Sequence, residues 1–178
     1  MSLTENSLQR IVVSGCSGGG KTTLLNEMAA RGYQVFAEPG RRAIREGYSF
    51  VTAPEIFLKR CQVLADKDFD AAVPDLALFD RSLLEVRVWY ARHGYPEPPH
   101  ITQTFATRRY SQPIFLTPPW PELFQQGRER AHSFQEALAE YHALCEHLPQ
   151  YGYRLEDIPK VSVKERADWF EDRLRQLK

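Results

Sequence analysis

Gly15-Cys16-Ser17-Gly18-Gly19-Gly20-Lys21-Thr22 is the stretch on which the reading of the fold turns. It fits G-x-x-x-x-G-K-[ST] in full. The glycines admit backbone conformations closed to other residues, so that successive N–H groups can turn toward a phosphate. Ile11-Val12-Val13 lead in as a strand, and Leu24, Leu25 and Met28 lead out on a helix, which is the context the pattern requires. The helix N-terminus adds partial positive charge. Lys21 is expected to reach the β- and γ-phosphates and the Thr22 hydroxyl to ligate Mg²⁺. The expected nucleotide site is therefore Gly15, Cys16, Ser17, Gly18, Gly19, Gly20, Lys21, Thr22 and Thr23, with ATP as the ligand and GTP as an alternative. Cys16 is read as a residue small enough to fit, in preference to an oxidation-sensitive thiol.

Outward from this loop, short apolar runs alternate with helical patterns, the signature of a parallel sheet with crossover helices. The expected strands are Arg10–Ser14, Tyr33–Ala37, Leu76–Phe79, Pro113–Leu116 and Gly152–Glu156. Leu76–Phe79 is apolar throughout, as in a strand covered on both faces. Four Ser/Thr-x-x-Glu pairs, Thr52 with Glu55, Ser82 with Glu85, Ser133 with Glu136 and Ser162 with Glu165, predict capping boxes at helix starts. Val163, Ala167, Phe170, Leu174 and Leu177 form one apolar stripe; Ala137, Tyr141, Leu144 and Leu148 form another. The fold class is α/β: a three-layer P-loop NTPase fold with a five-stranded parallel sheet flanked by helices. Residues 1–178 are read as a single kinase-like domain with a short lid at about residues 118–132.

Composition narrows the function classes. Among the 178 residues, 23 Lys and Arg balance 23 Asp and Glu, so the basic excess typical of a nucleic-acid binder is missing. An aromatic content of 12% argues against a disordered chain. No apolar run approaches the roughly 20 residues that cross a bilayer, and residues 1–8 carry no secretory pattern. Cys16, Cys61 and Cys145 read as free thiols in a reducing cytoplasm. His142, Cys145 and His147 are offset by intervals that do not converge on one helix face, so they are not read as a metal site. The expected partner is a small-molecule phosphoryl acceptor, bound by a monomer or homodimer.

Ligands of open parallel sheets sit beyond the carboxyl ends of the strands, where Glu38 and Asp80 fall. Asp80 is expected to hold Mg²⁺ together with Thr22, and either Glu38 or Asp80 to take the proton from a substrate hydroxyl. Arg81, rather than a water-activating glutamate, follows Asp80, which disfavours a motor-type ATPase. Arg41, Arg42 and Arg81 suit an anionic acceptor or phosphates. In the lid, Arg128 and Arg130 are expected to neutralise charge on the moving phosphoryl group, beside Lys21, and closure to exclude water. The guanine-recognition pattern Asn-Lys-x-Asp is missing, since the asparagines are Asn6 and Asn26.

Over nearly its whole length the chain resembles the AAA-like P-loop ATPase/kinase family that includes the ribosylnicotinamide kinase domain. The likeness rests on Gly15–Thr22, Glu38-Pro39-x-Arg41-x-x-Ile44, Phe79-Asp80-Arg81, Phe115-Leu116-x-Pro118-Pro119-Trp120, Arg130, Ser133-Phe134-x-x-Ala137 and Tyr151-Gly152-Tyr153. Glu38-Pro39-Gly40 and Asp80-Arg81 also look like their counterparts in thymidylate kinases. The resemblance implies ATP or GTP binding on a nucleoside- or nucleotide-kinase-like scaffold. The expected activity is Mg-dependent transfer of the γ-phosphoryl group to an acceptor near Glu38, Arg41, Arg42 and Arg81. Because some relatives are regulatory, the alternative is an NTPase that binds a protein or phosphoinositide in a nucleotide-dependent way.

Overall fold

Ile11, Val12 and Val13 are wholly without solvent exposure, which a strand reaches only when both its faces are covered. They are the middle of β1 (Gln9–Gly15) in a computed structural model that describes residues 8–73, 75–124 and 133–177. The other strands are β2 (Gln34–Phe36), β3 (Leu76–Asp80), β4 (Ile114–Thr117) and β5 (Leu155–Asp157). They form a five-stranded parallel sheet in the order β2-β3-β1-β4-β5. The register sets Val35 against Leu78, Ser14 against Leu116 and Phe115 against Glu156.

The helices among the described residues open in three ways. α4 (Leu83–Arg92), α6 (Phe134–Gln150) and α7 (Val163–Gln176) begin at the capping boxes of Ser82, Ser133 and Ser162, each with both reciprocal bonds made. α2 (Pro39–Arg45), α3 (Pro54–Ala71) and α5 (Pro99–Thr107) begin on proline, whose fixed φ and missing N–H suit a first turn. α1 (Lys21–Ala30) begins at Gly20, whose φ is 82°.

Two sequence expectations need correction. Thr52 caps nothing; the N-cap of α3 is Ala53, without a side-chain bond. A residue before proline is pushed out of the helical region, so Ala53 (φ −150°, ψ 71°) cannot be the first helical residue that a Thr52 cap requires. Nor does the last strand begin at Gly152. Gly152 has φ 82° and ends α6: its N–H donates to Pro149 O and the Tyr153 N–H to Leu148 O, a Schellman closure. β5 starts only at Leu155.

By packing, the chain divides into two compact units. The first joins the opening half of β1, through Val12, to Tyr33–Ser111. In its core Phe36 stacks on Phe79 at 4.9 Å, and Tyr110 meets Phe79 and Phe69 edge-on. The second joins Val13–Gly32 to Gln112–Lys178. There Phe115 meets Phe170 edge-on at 4.8 Å, and Leu24, Met28, Leu144 and Leu148 are fully buried. No helix among the described residues is long and apolar enough to cross a membrane.

Candidate functional site

In the second unit β1 ends at Gly15 and α1 starts at Lys21, and the turn between them uses left-handed backbone at Gly15, Gly18 and Gly20. Tertiary neighbours demand these glycines as much as local conformation does. A Cβ on Gly15 would lie 2.4 Å from Thr117 O, one on Gly19 would lie 2.8 Å from Thr117 Oγ1, and one on Gly20 would lie 2.6 Å from an Arg166 nitrogen. Thr117, the last residue of β4, fixes the turn from one side by accepting the Cys16 N–H at 2.9 Å. Gly15→Ala is therefore expected to destabilise the protein by about 2–4 kcal/mol, combining overpacking with a disfavoured φ. Thermal unfolding measures it.

The Lys21 side chain is 6% exposed, and its ammonium donates to Cys16 O at 2.8 Å and Gly15 O at 3.3 Å. The cation is thus held at the mouth of the turn by its own loop. Thr22 and Thr23 follow on the first turn of α1. A concave backbone with a lysine inside it fits a polyphosphate, and a hydroxyl one residue further on is a hard oxygen donor of the kind Mg²⁺ takes.

Sequence reasoning missed Arg166. Its side chain is buried, with Nη1 donating to Gly19 O at 3.3 Å and Gly20 O at 3.4 Å, and its Cζ lies 5.5 Å from the centre of the Trp120 ring. Burial pulls the guanidinium below its ordinary pKa. The signal was available: Arg166, Phe170 and Leu174 recur at four-residue spacing, so a charged residue occupies a stripe position of α7. α7 is tied to α1 by Arg31, which donates to Glu27, Asp168 and Glu171 at 2.8–3.0 Å. The bonds to Glu27 and then Asp168 raise the pKa of Arg31.

The first unit carries the acidic and arginine residues. Glu38 immediately precedes α2 without a side-chain capping bond, Asp80 is the final residue of β3, and Arg81 follows with φ 61°, an uncommon conformation for a residue other than glycine. Glu38 gathers two of the expected arginines, Arg41 Nε at 3.1 Å from Oε2 and Arg81 Nε at 3.5 Å from Oε1. Arg42 is not in that cluster; it pairs at 2.5 Å with Asp68 on α3. Asp80 and Arg81 are both nearly inaccessible, at 4% and 9%. Cys61 is buried near this carboxylate, and burial first, then Glu38, pushes its thiol up to about 12.

The same unit holds a cavity of about 400 Å³ between α3 and α4, lined among others by Leu58, Gln62, Trp89, Tyr90, Tyr95 and Ile101. Trp89 and Phe57 both meet Phe50 edge-on, at 5.7 and 5.6 Å. An aromatic row therefore runs from the cavity wall to the helix residue beside Glu38 and Gly40. Neither the cavity nor this row was legible in the sequence, because α3 and the stretch 48–50 meet only in the fold.

Cys16 is fully buried, its thiol directed at Ser17 O and Ala137 O. With Cys61 also buried, both thiols are expected to resist Ellman's reagent in the native protein at neutral pH and to react on unfolding. Absorbance at the thiol end point measures this. Arg128 and Arg130, and most of the expected lid at about 118–132, lie outside the described residues. The described part of that stretch holds Trp120 and a 3₁₀ turn, Pro121–Leu123.

A family model described as an AAA domain matches residues 10–166. No curated protein matches the chain. Among solved structures, deoxyadenosine kinase from M. mycoides with bound dATP superposes with a TM-score of 0.67 at 14% identity, covering 94% of this chain and 100% of that one. Thymidylate kinase from Ehrlichia chaffeensis gives 0.60 at 14%, covering 94% and 98%. Shikimate kinase from Acinetobacter baumannii in complex with shikimate gives 0.59 at 15%, covering 97% and 96%. At such identities the likeness establishes the P-loop kinase fold.

Proposed function

We propose that this chain, which belongs to the AAA-domain family, is a kinase that moves the γ-phosphoryl group of ATP, with GTP as an alternative donor, to a small-molecule acceptor. The triphosphate lies on Gly15–Thr23, with Lys21 countering charge that builds on the phosphoryl oxygens. Thr22 and Asp80 are the residues that would offer oxygen donors to Mg²⁺, which would neutralise phosphate charge. The acceptor lies near Glu38, Arg41 and Arg81, and Arg42 braces α2 through Asp68. Glu38 accepts the proton of the acceptor hydroxyl as its oxygen bonds to phosphorus and the bond to the β-phosphate oxygen breaks. The aromatic cavity beside α3 supplies apolar walls of the size that small ligands occupy. Arg128 and Arg130 are assigned to the closing lid.

The observation that carries this reading is the Glu38–Arg81 pair. The residue after Asp80 is a nearly buried arginine committed to a second carboxylate, not an acid placed to activate water. A carboxylate with two guanidinium groups within ion-pair distance is oriented for an acceptor, which suits transfer better than hydrolysis. The fold neighbours named above are kinases, which supports the same class.

The test is ADP release from Mg·ATP with and without a panel of nucleosides, nucleotides and ribosylated bases. Acceptor-dependent ADP is expected. Slow hydrolysis indifferent to every acceptor overturns the assignment. Tight nucleotide binding without turnover, with a protein or phosphoinositide captured in one nucleotide state only, favours the regulatory alternative.

A further inference from the structure

We infer that Arg166 is a positioning residue of the phosphate loop: its guanidinium holds the Gly19 and Gly20 carbonyls and thereby aims the Gly20 and Lys21 N–H groups at the bound polyphosphate. The inference rests on the phosphate-binding reading of Gly15–Thr22 and adds to it a residue 144 positions beyond the end of that motif, from Thr22 to Arg166.

A trans peptide is planar, with N–H and C=O on opposite sides. The carbonyl of Gly19 and the N–H of Gly20 share one such plane; the carbonyl of Gly20 and the N–H of Lys21 share the next. Arg166 Nη1 donates to both carbonyls, at 3.3 and 3.4 Å, so both N–H groups face away from it. The first plane has glycine on both sides and the second has Gly20 on one, and glycine offers little resistance of its own to a peptide flip, since positive and negative φ are nearly equal in energy for it. Something outside the loop must select the orientation. The Gly20 carbonyl also accepts the Leu24 N–H at 3.1 Å, which serves one plane only. The Gly19 carbonyl has Arg166 as its donor.

The guanidinium itself is placed by packing on three sides. It is 2% exposed, lies over the Trp120 ring, and sits one turn before Phe170 on a helix fastened to α1 by Arg31. The close approach explains the residue opposite it, since any side chain at Gly20 would collide with the guanidinium. Among the described residues this buried cation meets carbonyls and a ring face, so its positive charge next to the loop favours an anionic ligand.

The experiment is a titration of the full chain with Mg·ATP and separately with pyrophosphate, for wild type, Arg166→Lys, Arg166→Gln, Arg166→Ala and Lys21→Ala, alongside thermal unfolding. Arg166→Gln is expected to weaken both ligands by the same factor, about 10- to 100-fold. Arg166→Lys falls between, because an ammonium on a flexible stem does not reproduce the planar fork. Millimolar guanidinium chloride restores binding to Arg166→Ala, which a loss of general stability would not allow. If Arg166→Ala does not fold, Arg166→Lys decides the matter: wild-type affinity in the folded variant overturns the proposal. Unchanged binding in Arg166→Gln, with binding lost in Lys21→Ala, overturns it too and leaves the phosphate-binding reading standing. Failure of the wild type to bind either ligand removes that reading and this proposal with it.

Discussion

Lys21→Ala is expected to lower the affinity for Mg·ATP and the rate of phosphoryl transfer by about 10²- to 10³-fold, the scale of removing one preorganised donor from a developing oxyanion. The size of the effect follows from where the ammonium already is. It is 6% exposed and bonded to the carbonyls of Gly15 and Cys16, so the side chain is ordered before a ligand arrives and binding incurs little further loss of its freedom. Lys21→Arg is not expected to rescue it, because the loop is shaped for a compact point charge and a guanidinium is larger and planar. Calorimetric titration measures the affinity, and circular dichroism confirms that the variant is folded. Wild-type affinity in Lys21→Ala would remove the assignment of Gly15–Thr22.

Glu38→Gln is the second large effect. The substitution keeps the shape and removes the base, so kcat is expected to fall about 10²- to 10⁴-fold while the affinity for Mg·ATP stays near wild type. The split matters, because a carboxylate that only braced Arg81 and Arg41 would disturb acceptor binding and raise KM. Asp80→Asn is the companion measurement. Its expected signature is a shift of the Mg²⁺ concentration needed for half-maximal rate, since an amide is a poorer ligand for a hard cation. If Asp80→Asn abolishes turnover at saturating Mg²⁺ and Glu38→Gln does not, the roles of the two carboxylates are exchanged.

What the sequence disclosed was local. The strand–loop–helix around Gly15–Thr22 and the Ser82, Ser133 and Ser162 boxes each depend on residues within a few positions, and each is found in the fold. Thr52 carried the same motif and failed, because a proline two places on excluded the helical conformation from the residue between them. Gly152 stands at the head of the expected strand Gly152–Glu156, whereas its positive φ closes the preceding helix. The site divides along the same line. Glu38, Asp80 and Arg81 stand out by their positions at strand ends, but the Glu38–Arg81 pair depends on Arg81 adopting φ 61°, which no local pattern signals. Arg42 resembles Arg41 in sequence and is directed elsewhere by a partner on α3, Asp68. Arg166 was hidden in the apolar stripe of a helix remote from the motif it serves.

The grip of Thr117 and Arg166 on the phosphate loop has a consequence for the order in which the protein becomes competent. Arg166 bonds to a carbonyl 147 positions earlier, and Thr117 accepts from Cys16 across 101 positions, from residue 16 to residue 117. Contacts of such long range form late, since closing the chain must precede any reward for closing it. During synthesis Gly15–Thr22 is made long before residue 166, and in that interval its glycines lack the partners that fix them. The full set of contacts that shapes the loop is therefore complete only once α7 has been made and packed. Nucleotide that binds only the completed arrangement then acts as a clasp on the whole second unit, shifting its unfolding equilibrium in proportion to occupancy.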